Sequence, residues 1–213
     1  MSADSAIVLR VEDLHFAYPG EAPVLSGWSA AIGPGVTQVH GDTASGKSTL
    51  LRVLAGRLPA MGRLTLKGVR LDADREAWRR KVFFIDPGTD VFDQVTGHAC
   101  TASLRSGDAD FDEASWRALV DEFSLAPHLE KPMYMLSTGS KRKVWLAAAL
   151  ASGRPLVLLD EPTGGLDGGS TRCLWRALDA MTQHPERAVV VASSEIIDQV
   201  PLAGRLSLQA ELP

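Results

Sequence analysis

An α/β fold built on a mostly parallel sheet is predicted by three features of this 213-residue chain. Val36–Gly56, VTQVHGDTASGKSTLLRVLAG, reads as strand, glycine loop and helix. Pro155–Glu161, PLVLLDE, and Ala188–Ala192, AVVVA, are continuous apolar runs, the pattern of strands covered on both faces. Ahead of them, Ala6–Phe16 and Val24–Ile32 are two β-rich runs separated by Pro19-Gly20, which predict an antiparallel ribbon near the N-terminus.

Taken in order, the first run AIVLRVEDLHF alternates in part and ends near Tyr18. That ring can stack on a flat π-system or cover the core, and residue type does not separate the two. After Gly33-Pro34-Gly35, Val36–His40 is a short buried strand and Gly41–Ser48 spells G-x-x-x-x-G-K-S. The glycines allow successive backbone N–H groups to converge on one point, and the following helix adds its positive dipole end there. Gly41, Asp42, Thr43, Ala44, Ser45, Gly46, Lys47, Ser48 and Thr49 are therefore candidate nucleotide-binding residues. Lys47 would reach the terminal phosphates of a nucleoside triphosphate, and the Ser48 hydroxyl would take a Mg²⁺ coordination position.

Gly62–Val69 is a turn-and-strand signal, Asp74–Lys81 a polar helical piece, and Val82–Ile85 an apolar strand stopped by Asp86-Pro87. From Gly88 to Pro132 acids accumulate, while Trp116, Leu119, Val120 and Phe123 mark one amphipathic helix. No Pro/Gly/Ser linker isolates this region, so it is expected as a helical lobe at about 88–153 inserted into a single domain with core 1–87 and 154–213. Ser137 and Thr138 supply cap hydroxyls to a helix that runs toward Gly153. The charge run Lys141, Arg142, Lys143 reads as a solvated helix face in preference to a phosphate contact.

The strand PLVLLDE ends in two carboxylates, which are costly beside four apolar residues unless they find partners. If that strand lies next to the phosphate-loop strand, Asp160 arrives at the same edge and can hold Mg²⁺ opposite Ser48, with Glu161 placed to deprotonate an attacking water. A turn-capping aspartate is the simpler alternative. The next helix carries Leu174, Ala177, Leu178 and Met181 on one face; after AVVVA come Ser193, Ser194 and Glu195, then a helix-like turn and Arg205–Leu208.

Composition narrows the classes further. The chain has 22 basic and 26 acidic residues and a net charge of −4, without the positive excess of a nucleic-acid binder. Cys100 and Cys173 stand far apart without metal-ligand spacing, as expected of reduced thiols. No apolar run approaches the ~18 residues of a membrane span, and MSADSAIVLR lacks a signal-peptide profile. The expectation is a soluble chain that meets a membrane only through partners.

The order Tyr18, GDTASGKS, LSTGS, LVLLDEP, GGLD resembles the ATP-binding subunit of an ABC transporter over nearly the whole chain. The resemblance implies the P-loop NTPase core of the ABC ATPase fold, with ATP and Mg²⁺ as cofactors. It implies a head-to-tail pair with a second ATP-binding subunit, identical or not, in which Ser137, Thr138, Gly139 and Ser140 cover the partner's nucleotide and Asp167 sits at the seam. It implies Tyr18 as base stacker, Asp160 as metal ligand and Glu161 as catalytic base. Integral membrane subunits at the cytoplasmic face of the inner membrane complete the expected assembly. Two positions depart. Asp86 stands where the family has a glutamine and is a candidate metal ligand; Ser194 stands where the family has a histidine against the γ-phosphate. Serine carries no positive charge, and losing one such contact typically costs about 10²–10³ in rate, so a slow ATPase is expected. A non-hydrolysing nucleotide-gated module and a soluble non-transport ATPase are the alternatives.

Overall fold

The computed structural model describes residues 7–182 and 184–208. Two sheets share the work. The first is antiparallel, in the order β2-β1-β4-β5, from β1 (Leu9–Ala17), β2 (Pro23–Ile32), β4 (Met61–Leu66) and β5 (Val69–Arg70). The expected ribbon is thus enlarged by a hairpin built from the 62–69 signal, with Val11 opposite both Ala30 and Leu64. Ala6, the first residue of the expected run, lies outside the described residues.

The second sheet is parallel, in the order β6-β7-β8-β3-β9, from β3 (Gly35–His40), β6 (Val82–Phe84), β7 (Leu156–Asp160), β8 (Ala188–Ser193) and β9 (Gly204–Ser207). The acidic strand β7 does not lie beside the phosphate-loop strand β3, the adjacency on which the expected placing of Asp160 is conditional; β8 is inserted between them. The consequence for the site is small, because all the parallel strands deliver their carboxyl ends to one edge. Between Ser194 and Ala203 the expected helix-like turn is irregular chain instead, and Arg205 lies in β9 against Gln38.

The parallel sheet divides the apolar interior. Val39, Leu156, Leu158, Val190 and Ala192 face α1 (Lys47–Leu54) and the antiparallel sheet. Val36, Val157, Leu159, Val189 and Val191 face the helical side, made of α3 (Gly97–Leu104), α4 (Glu113–Glu122), α5 (Thr138–Ala151) and α6 (Gly168–Met181). Strand alternation sends successive residues to opposite faces, and burial on both sides explains why VLL and VVV carry no polar residue.

The charged helix α2 (Arg75–Lys81) starts at an Asp74 cap whose side chain accepts from Ala77 N–H at 2.8 Å. It is less polar in effect than its sequence, for Trp78 is fully buried and donates its indole N–H to Leu54 O at 3.0 Å, pinning the end of α1.

Candidate functional site

The β3-loop-α1 unit builds the floor. Ala44 and Gly46 hold left-handed φ of 65° and 92°, which turns the loop back on itself and starts the helix at Lys47. The cap residue Gly46 has no side chain to satisfy the first N–H groups of α1, so they stay available. Lys47 is only 6% exposed, and its ammonium donates to Gly41 O and Asp42 O, both at 2.8 Å. Ser45 Oγ is buried with no hydrogen-bond partner. Beside the loop is a cleft of about 410 Å³ lined by Tyr18, Val24, Ala44, Lys47, Ser48 and Glu161. Tyr18 is half-buried there, its ring edge-on to Phe16 at 4.9 Å and its hydroxyl 3.1 Å from Thr49 Oγ1. Asp42 and Thr43 are exposed at the rim.

The carboxyl end of β7 brings the acids to this floor. Asp160 Oδ1 is buried with no hydrogen-bond partner, and burial raises the Asp160 pKa, opposed in part by a hydrogen bond from Ser48. Among the described residues no three His, Cys, Asp or Glu side chains form a metal cluster. An orphaned carboxylate oxygen beside a hydroxyl nevertheless fits Mg²⁺, which takes one or two protein oxygens and completes its shell with phosphate and water. Glu161 has a left-handed φ of 41°. Its Oε1 lies 3.6 Å from Lys47 Nζ and accepts the Ser194 backbone N–H at 2.9 Å.

A family model described as ABC transporter matches residues 26–164, the span from β2 through the phosphate loop to the acids after β7. The chain belongs to the ABC transporter family. Within it the chain is an ATP-binding subunit, the ATPase of the transporter. It is 32% identical over 212 residues to the cobalt import ATP-binding protein CbiO of Rhodobacter capsulatus, covering 94% of this chain and 75% of that protein. It is likewise 32% identical over 210 residues to the taurine import ATP-binding protein TauB of Pseudomonas putida, covering 97% and 79%. Among solved structures, an ABC transporter ATP-binding protein from Pyrococcus furiosus has the same fold, with a TM-score of 0.75 at 22% identity over 94% of this chain and 96% of that one.

The remaining positions of the ABC ATPase divide into two groups. Ser137 caps α5, accepting Ser140 N–H and donating to Ser140 Oγ, both at 3.1 Å. Ser137 and Thr138 are exposed, and Gly139 abuts Gly165 O, where an added Cβ would stand only 2.2 Å away. None of these residues lines the cleft at Lys47. Asp167 caps α6 through Ser170 N–H at 2.8 Å and receives Lys143 Nζ at 2.7 Å; that ammonium and the cap hold its carboxyl well below the usual range.

Two expectations change here. The run Lys141–Lys143 is not a solvated face: Lys141 pairs with Asp93, Arg142 donates to Glu161 O at 2.6 Å, and Lys143 pairs with Asp167. Asp86 gives Oδ2 to Arg52 Nε at 2.7 Å and Oδ1 to Gly88 N–H at 3.1 Å, and the guanidinium holds its carboxyl below the ordinary value. A metal contact from Asp86 would require that bridge to open. Arg52 went unnoticed in the sequence because its partner lies 34 residues away.

Proposed function

We propose that this ABC ATPase closes on ATP as a head-to-tail pair and drives separate membrane-embedded subunits, with Glu161 as the base of hydrolysis. The observation that carries the reading is the placing of Glu161 Oε1 between the Ser194 N–H and the Lys47 ammonium, at the mouth of the phosphate loop. A carboxylate so held can accept the proton of a water attacking the terminal phosphorus. Lys47 exchanges the carbonyls of Gly41 and Asp42 for phosphate oxygens, trading neutral acceptors for charged ones. Ser48 and Asp160 Oδ1 would hold Mg²⁺, which when bound neutralises phosphate charge. Tyr18 offers its ring to the base. Ser137, Gly139 and Ser140 of each copy cover the other's triphosphate, with Asp167 at the seam.

Among the described residues no helix is long and apolar enough to cross a membrane. In this reading separate membrane subunits hold the protein at the cytoplasmic face of the inner membrane, against the helical lobe at 88–153. Relatives of equal identity are named for cobalt and for taurine, so likeness at this level follows the motor and not the cargo.

The test is steady-state phosphate release. Glu161→Gln is expected to lower kcat by about 10²-fold or more with nucleotide binding retained. Ser194→His is expected to raise kcat about tenfold by supplying the missing charge, a fraction of the 10²–10³ such a contact can contribute. Glu161→Gln indistinguishable from wild type, with turnover well above background, overturns the base assignment. Ser194 also favours a second reading, a module that binds ATP and dimerises without turnover; wild type that releases no phosphate while Ser194→His does would select it.

A further inference from the structure

We infer that Arg142 is the positioning residue for Glu161, and that through it the first turns of α5 set whether the acid in the same chain is aligned for catalysis. This rests on the reading of Glu161 as the base. A non-glycine residue in the left-handed region persists only where its surroundings hold it there, and the Glu161 backbone is held at both ends. Its N–H donates to Ala192 O at 2.9 Å, and its carbonyl accepts the Arg142 guanidinium at 2.6 Å and Gly164 N–H at 3.1 Å. The side chain is then fixed by Ser194 N–H.

The path for Arg142 is kept open by Gly164. A Cβ at that position would lie 2.3 Å from Arg142 Nη1, so any other residue there displaces the guanidinium. The arginine is half-buried and faces both Asp160 and Glu161, a position in which its charge is not a surface ornament. Two further contacts join the same helix to the same loop: Gly139 packs on Gly165 O, and Lys143 pairs with Asp167. The segment 161–167 is thus gripped at its start, middle and end by the first two turns of α5. A rigid helix so attached cannot shift at its Ser137 end without dragging the Glu161 carbonyl, and small displacements of a catalytic group can cost about 10²-fold.

Steady-state hydrolysis and fluorescent-nucleotide binding by the full chain test this. Arg142→Ala should lower kcat about ten- to a hundredfold while KM changes less than about twofold. Arg142→Lys, which keeps the charge and is safer for folding, should recover part of that loss. Gly164→Ala leaves every functional group in place and should reproduce the kcat defect; the double variant should be no slower than the worse single, since both break one contact. Wild-type kcat in Arg142→Ala, or fully additive losses with Gly164→Ala, overturns the inference. In a Glu161→Gln background, Arg142→Ala should cause no further loss. If Glu161→Gln alone is harmless, the base reading fails; if it is inactivating while both arginine variants are silent, only the positioning role fails.

Discussion

The N-termini of α1 and α5 differ in what surrounds them. At α1 the cap is a glycine without a side-chain hydrogen bond, a lysine is buried beside it, and a cleft with Tyr18 and Glu161 for walls stands next to the first turn. At α5 a serine caps its own helix, its neighbours are exposed, and the nearest cations are already paired with Asp93, Glu161 O and Asp167. One end is a finished pocket within a single chain. The other is a small-residue surface whose contacts run backward to the loop at 161–167 of its own chain, and under the proposed pairing a second subunit would present its ligand.

The sharpest test of that contrast is Lys47→Ala. Removing the ammonium leaves the amides of the loop but takes away the buried cation beside them, so hydrolysis should fall by about 10³-fold or more, and nucleotide binding to the isolated chain should weaken with it. Nucleotide titration and phosphate release check both. Binding that survives at wild-type strength would mean that the cleft at α1 is not the pocket.

Ser137→Ala probes the other end. Loss of the cap costs about 1 kcal/mol of stability, seen as a Tm lower by about 2–4 °C. Binding of nucleotide to the single chain should stay within about twofold of wild type, while phosphate release falls about tenfold if, as proposed, Ser137 covers the partner's nucleotide. If Ser137→Ala weakened binding as much as Lys47→Ala, the two ends would belong to one pocket and the comparison would collapse.

What could be read from the chain follows the same division. The phosphate loop, the acidic strand end and the Ser137 cap were legible because each is a local pattern of spacing and residue type, and local patterns survive folding. Strand order was not, since the insertion of β8 between β7 and β3 is decided by how helices pack on the sheet. The charges of α5 were misjudged for a related reason: a run of Lys, Arg and Lys looks identical whether its partners are water or residues 24 positions away, as Asp167 is from Lys143. Trp78 within DREAWRRK was the one available hint that a polar helix has a buried side.

The smallest effect expected concerns the cost of keeping the α1 pocket ready. Asp160 Oδ1 is buried without a partner, and burial raises its pKa above the ordinary 3.8. A folded-state pKa above the unfolded one means that the folded protein holds the proton more tightly, so ionised Asp160 opposes folding at neutral pH. That opposition fades as pH falls through the raised value and is gone below about 3.8, where both states are protonated. Asp160→Asn should therefore stabilise the nucleotide-free protein at pH 7 by roughly 1 kcal/mol, because a neutral amide is cheaper to bury than an ionised carboxylate, and the gain over wild type should shrink to nothing in acid melts. With ATP and Mg²⁺ added the order should reverse, because the charge that weakens the empty fold is the one that the cation requires. Were the α5 end equally poised for a ligand, Ser137→Ala would show the same reversal; its self-satisfied cap predicts a plain loss of stability with or without nucleotide in the single chain.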